Sequence, residues 1–129
     1  MLADVSGDVQ KVSLTDAFAS FDDHWEPRLA AELNGQAVKL ARAEGEFVWH
    51  HHTDADELFL VYSGSLRIEL RDEDDIELTA GEIVVVPRGV EHRPVADENA
   101  EILLFEPRET RNTGNVESEQ TRETLDRVD

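Results

Sequence analysis

Val48-Trp49-His50-His51-His52-Thr53-Asp54-Ala55-Asp56-Glu57 is the stretch on which the reading of this chain turns. His50 and His52 are two residues apart, so on an extended strand both side chains leave one face while His51 leaves the other. A helix would bring ligands together at i, i+3 or i+4, so this spacing argues for a strand-borne site. Val48 shares the face of His50 and His52; Phe47 and Trp49 share that of His51. Glu57 has the parity of Phe59 and Val61 on the next run and can point into the same interior. His92 follows in Val90-Glu91-His92, just after Pro87-Arg88-Gly89, so four of the five histidines fall in two segments. The fifth, His24, lies beside Trp25 and Pro27 and reads as structural.

Working outward, the flanking sequence alternates with period two and is cut at short intervals by turn residues. Leu29, Ala31 and Leu33 alternate with Ala30 and Glu32, Asn34-Gly35 is a strong hairpin signal, and Val38 and Leu40 continue the return strand to Glu44-Gly45. Further strands are expected at 46–53, 57–62, 65–71, 75–79, 82–86, 89–95 and 100–106. Ser63-Gly64, Asp72 to Asp75, Ala80-Gly81, Arg88-Gly89 and Asp97-Glu98-Asn99 punctuate them. Many short strands without intervening helices indicate an all-β sandwich or barrel. Before them, Ser13 and Asp16 form a capping pattern, and Leu14, Ala17, Phe18 and Phe21 follow at helical spacing. That predicts a short helix, stopped before Pro27 and packed as a lid. After Phe105 the apolar residues thin out. Residues 107–129 read as a charged tail, mobile or docked on a partner, with room for a short helix around 117–127. The expected organisation is an N-terminal segment (1–27), a β-barrel (28–106) and this tail (107–129).

The 129 residues fit one domain, and 40% hydrophobic residues are enough to fill its core. No apolar run is long enough to span a bilayer, and the N-terminus lacks the pattern of a secretory signal, so the chain reads as cytoplasmic. With no cysteine, disulfides and thiolate metal sites are excluded. Thirty acidic against twelve basic residues give a net charge of −18, which disfavours nucleic acid and anionic membranes as partners. Only Lys11 and Lys39 are lysines. Such acidity with so little lysine resembles the bias of salt-in halophilic proteomes.

Three imidazoles and one carboxylate, His50, His52, Glu57 and His92, suit Mn, Fe, Co, Ni, Cu or Zn rather than all-oxygen Ca or Mg. On an octahedral ion they leave two positions open; on a tetrahedral ion they fill the shell. The residues also resemble a known pattern. Gly45, His50, His52, Glu57 and Gly64 are similar to the first cupin motif, and Gly81, Pro87, Gly89 and His92 to the second. The resemblance covers roughly residues 30–106, and more narrowly is to the small single-domain cupins described as mannose-6-phosphate isomerase-like. It implies a jelly-roll β-barrel (double-stranded β-helix) with the metal in its mouth. Two departures stand out: Gly45 precedes His50 by one residue fewer than usual, and Ala96 replaces the closing Asn of the second motif. Neither touches the four ligands.

Three classes of function remain open on the sequence. One is a metalloenzyme acting on a small polar metabolite, by isomerase- or oxygenase-type chemistry. The others are a non-catalytic ligand-binding or sensing cupin, and a cupin whose metal only staples the barrel. No second acid or base is evident beyond the four ligands. Arg67, Arg88 and Arg93 are the only basic residues near the site segments, and Arg67 and Glu69 read as a solvated or interface face. Small cupins of this kind commonly pair. A homodimer is expected through sheet faces, with Trp49, His51, the strand at 29–33 and the N-terminal segment contributing.

Overall fold

The computed structural model describes residues 8–128; residues 1–7, at the start of the segment expected to contribute to pairing, and Asp129 lie outside the described residues. Ser13 caps helix α1 (Leu14–Ala19) by accepting from the Asp16 N–H. Seven antiparallel strands follow: β1 (Arg28–Leu33), β2 (Gln36–Glu46), β3 (Glu57–Ser63), β4 (Ser65–Leu70), β5 (Glu73–Thr79), β6 (Ile83–Val86) and β7 (His92–Pro107). Their order is β1-β2-β7-β3-β6, with β4 pairing both β5 and β7. This is the expected all-β jelly-roll barrel with a short N-terminal helix. No described helix is long and apolar enough to cross a membrane.

Asn34 and Gly35 both take positive φ, 53° and 79°, and place Leu33 opposite Gln36. A two-residue hairpin turn of this kind follows the right-handed twist of its strands, which is why Asn-Gly sits there. The long strand β7 organises the rest. Along one edge it pairs β2; along the other it pairs first β4, through residues 92–95, and then β3, through 101–105. The change of partner falls where Asp97, Glu98 and Asn99 lie exposed, bulged between the pairs Gly45↔Ala96 and Ala43↔Ala100. The turn-forming residues at 97–99 therefore bend one strand instead of separating two, because both flanks remain laddered to β2. Gly64, at the turn from β3 to β4, passes against this bend. Its φ is +84°, and a Cβ there would lie 3.0 Å from the Asn99 carbonyl oxygen.

Inside the barrel, Phe59 and Val61 of β3 pack with Ile102 and Leu104 of β7 and with Ala41, Ala43, Ala96 and Ala100. The opposite faces of β1 and β2 are not left in water. Leu40 and Ala30 bury against Ala17, Phe18 and Phe21 of the helical segment, so α1 acts as the expected lid. Complete burial of Phe18 alone contributes about 1.5–3 kcal/mol.

Several expectations are corrected. Residues 47–56 form no ladder strand; they run past the second histidine segment, with one β-bridge, His50↔His92, and isolated backbone bonds from the Phe47 N–H to Pro94 and from the Gly89 N–H to the His52 carbonyl. Phe47, assigned to the outward face, is buried against Trp25, with ring centroids 5.0 Å apart, because its backbone N–H bonds Pro94 and turns the side chain inward. The acidic run from Asp72 to Asp75 makes only the edge of a turn, and its last three residues begin β5. No helix forms at 117–127.

The tail folds back on the barrel through turns stapled by side chains. Thr113, fully buried, donates to the Val116 carbonyl, and Asn112 bonds both the Gln120 carbonyl and the Arg122 N–H. Asp126 and Val128 then bond the backbone of Leu29, covering the outer edge of β1. Leu29 and Ala30 are consequently buried, so the strand at 29–33 does not present the apolar face expected for pairing; Leu33 alone remains exposed there. Trp49 is likewise covered in part, by the guanidinium groups of Arg71 and Arg93.

Candidate metal centre

His50 and His92 face each other across two backbone hydrogen bonds: the His50 N–H donates to the His92 carbonyl at 3.0 Å, and the His92 N–H returns to His50 at 2.9 Å. Their ring centroids lie 4.4 Å apart with the planes tilted by 49°, and His52 follows two residues on from the same extended segment. Glu57 joins them as the first residue of β3, and His92 is the first of β7. The side chains that sequence parity assigned to one site are therefore brought together. One donor atom from each of the four lies within 4.8 Å of the others, and none of the four residues is more than 6% exposed.

The tautomers follow from the backbone. The Nδ1 atoms of His50 and His92 lie 2.9 Å from the carbonyls of Val48 and Val90. A carbonyl cannot donate, so each Nδ1 carries the proton and each Nε2 keeps a free lone pair turned inward. Among the described residues His52 has no such partner on its ring. His52 Nε2 and His92 Nε2 stand 3.3 and 3.4 Å from Glu57 Oε1. All three atoms are buried, and none makes a hydrogen bond of acceptable geometry. Leaving three converging polar atoms unsatisfied inside a barrel is expensive, and a cation at their common focus would satisfy them together.

Burial, with the neighbouring His92 adding to it, lowers His50 to a pKa of about 4, so the imidazole is neutral at ordinary pH, as a ligand must be. Burial by itself would raise the Glu57 carboxyl, but the surrounding His52, His92 and Glu106 side chains outweigh it and hold Glu57 well below the usual carboxylate range. The donor set is thus presented neutral at His50 and anionic at Glu57.

Glu106 and Lys39 were missed by sequence reasoning. Lys39 Nζ lies 2.7 Å from Glu106 Oε2 and 3.0 Å from the Thr110 carbonyl, with both side chains sealed inside the barrel. Burial raises the Glu106 carboxyl well above its usual range, and the Glu57 charge beside it adds to this, while Lys39 opposes. Parity is the signal that could have found the pair. Lys39 has the register of inward Ala37, Ala41 and Ala43, and Glu106 that of Ile102 and Leu104.

The donors border a cavity of about 40 Å³, walled by Trp25, Phe47, Phe59, Ile102 and Leu104 and reached by His50, Glu57, Lys39 and Glu106. That volume admits a few water-sized molecules and nothing as large as a sugar phosphate. Alanines at 41, 43, 96 and 100 keep the surrounding core shallow. Other residues singled out from the sequence lie elsewhere. His51 leaves the site, its backbone clamped by Asn115. His24 bonds Asn99 at 3.0 Å. Arg67, Arg88 and Arg93 are taken up by Glu69, Asp56 and Glu69 respectively.

A jelly roll with His-x-His, Glu and His converging at one end defines a cupin-type β-barrel with a metal-capable cup. The chain belongs to the family described as "Cupin domain", whose model matches residues 37–106. A cupin-2 domain protein from Shewanella frigidimarina is 49% identical, with 75% of this chain covering 94% of that one at a TM-score of 0.73. YdbB of Bacillus subtilis is 43% identical over 63 residues, 49% of this chain and 56% of its own length. An acireductone dioxygenase from Sulfurihydrogenibium is 45% identical over 73 residues, 54% of this chain and 37% of that enzyme. The chain thus spans about half of YdbB and little more than a third of the dioxygenase.

Proposed function

We propose that this cupin holds one divalent transition metal ion (Mn, Fe, Co, Ni, Cu or Zn) through His50, His52, Glu57 and His92, and acts on a small polar metabolite. The observation that carries the reading is the convergence of His52 Nε2, Glu57 Oε1 and His92 Nε2, buried and without hydrogen-bond partners. An ion there would supply Lewis acidity toward a carbonyl or enediol, or a binding position for dioxygen. The chain's own contribution is to keep the imidazoles of His50 and His92 oriented through Val48 and Val90, and to keep bulk water out behind Trp25, Phe47 and Phe59. The likeness to an acireductone dioxygenase favours oxygenase-type over isomerase-type chemistry. The likeness to mannose-6-phosphate isomerase-like cupins goes no further than the shared motifs.

The test is metal analysis of protein prepared in molar KCl. His52→Ala should reduce bound metal at least about tenfold, since it removes one ligand and leaves the others partly unsatisfied. His51→Ala should bind as the wild type does. Equal metal content in the two variants sinks the assignment. A second reading, a cupin that binds a small ligand without turnover, is favoured by the smallness of the cavity. Oxygen uptake by the metal-loaded protein with small enediols separates the two.

The same proposal includes a division into an N-terminal segment (1–27), a barrel (28–106) and a tail (107–129), and a cytoplasmic homodimer. With most of the strand at 29–33 covered, the exposed apolar side chains of the described residues that share one strand edge are Ile83 and Val85 on edge strand β6, 56% and 51% exposed. Light scattering that finds a monomer at micromolar concentration would remove the dimer.

A further inference from the structure

Ten of the chain's twelve basic residues lie within ion-pair distance of a carboxylate. Among the described residues the two that do not are Lys11, which is exposed, and Arg111, which is half-buried in the tail. Arg111 Nε and Nη2 are shut off from solvent and have no hydrogen-bond partner among the described residues. In a protein with 30 acidic residues an unmatched buried cation is anomalous. Guanidinium cannot escape the cost by losing its proton. Asp54 and Glu109 border the same cleft, yet neither pairs with it.

The identity of the two orphan atoms narrows the missing partner. Nε and Nη2 form one edge of the guanidinium, with parallel N–H bonds spaced to match two oxygens of a carboxylate or phosphate. Arg111 borders a cleft of about 430 Å³ whose opposite wall is His52, Thr53 and Asp54. On its other side lies a second cleft of about 360 Å³, shared with Lys39, Arg108 and Arg122. Lys39 and Asn112 line both this second cleft and the internal cavity that reaches His50 and Glu57.

We propose that Arg111 anchors an oxyanion subsite beside the metal centre, which takes the carboxylate or phosphate group of the substrate. The placement of the subsite next to His52 rests on the metal reading above; the anion site itself does not. The segment that carries Arg111 is held by turns and by the Asn115 clamp on His51, not by a strand ladder. Displacement of this segment is what would expose Arg111 Nε and Nη2 to an entering anion. Gly114 makes the close approach at this joint: a Cβ there would fall 2.2 Å from the His51 carbonyl oxygen.

The experiment is thermal unfolding against rising sodium phosphate or sodium succinate at constant ionic strength set with KCl. It is run on metal-loaded and chelator-treated wild type, Arg111→Gln and Arg111→Lys, with metal content measured on the same samples. Wild type should show a saturable rise in melting temperature with at least one of the two anions, and which anion acts identifies the group recognised. Arg111→Gln should need at least about tenfold more anion for the same rise, since a charge-assisted fork is lost. Arg111→Lys should be intermediate. Without anion, Arg111→Gln should melt no lower than wild type, because it removes an unpaired buried charge. A wild type without saturable response, a variant with an unchanged response, or an Arg111→Gln that melts well below wild type without anion each overturns the proposal. If wild type responds to anion but carries no metal, the subsite stands and the metal reading falls. If metal binds and no anion response appears, the reverse holds.

Discussion

Two sets of buried polar side chains, which meet at the internal cavity through Lys39, Glu106 and Glu57, are treated in opposite ways. Lys39 Nζ donates to Glu106 Oε2 at 2.7 Å and to the Thr110 carbonyl at 3.0 Å, and of this pair only Glu106 Oε1 lacks a partner among the described residues. His52 Nε2, Glu57 Oε1 and His92 Nε2 are equally buried and find no hydrogen-bond partner among the described residues. The difference separates structure from function. The Lys39 ammonium group finds its acceptors within the chain, whereas a set of converging donors is complete only when something binds. Arg111 belongs with the second group and not with the other cations of the chain.

The largest effect should come from breaking the matched pair. Lys39→Met leaves Glu106 beside Glu57 without its counter-ion, and Glu106→Leu leaves an ammonium group sealed in the barrel. Each single change should cost about 3–5 kcal/mol of unfolding free energy. The double substitution removes both charges and should recover most of that, because a buried ion pair is often no more stabilising than apolar residues of similar volume. Denaturant unfolding of the three variants measures this coupling directly. Nearly additive losses would mean that the two side chains are held by separate contacts, and the contrast with the metal donors would lose its basis.

The alternation of the sequence made much of this legible. Period-two spacing brought out the barrel, the Asn34-Gly35 hairpin, the shared face of His50 and His52, and the inward parity of Glu57 with Phe59 and Val61. It could not show that residues 47–56 would meet the second histidine segment through isolated bonds and not a ladder, because the backbone bonds at 47 and 50 depend on where β7 passes. Nor could it show that Asp97-Glu98-Asn99 would bulge, since whether a turn signal ends a strand or bends it is decided by the neighbouring strand. Lys39 and Glu106 were legible in principle: a charged residue at an inward position among alanines and leucines calls for a partner, and each is the other's. Arg111 was not. The tail has no period, and its place against His51 depends on turns and on single side chains such as Asn112, Thr113 and Asn115.

The smallest effect separates the buried groups from the surface. Asp72, Glu73, Asp74 and Asp75 are all exposed, and among the described residues only Asp75 of these lies within ion-pair distance of a cation, 3.7 Å from Arg67. Salt weakens exposed ion pairs as well as repulsion. The balance is nevertheless decided by numbers: thirty acidic residues against twelve basic leave −18 even if every cation is paired. We propose that the chain is adapted to high salt, so its melting temperature should keep rising with KCl to molar concentration. The expected gain is about 1 kcal/mol, or a few degrees for a domain of this size. Because Lys39 and Glu106 are sealed from solvent and screened little, their double variant should show the same rise as wild type. Thermal unfolding of both proteins across a KCl series gives the answer. A plateau at physiological salt would reject the halophilic reading, and a steeper or flatter curve for the double variant would show that the buried pair senses the solvent after all.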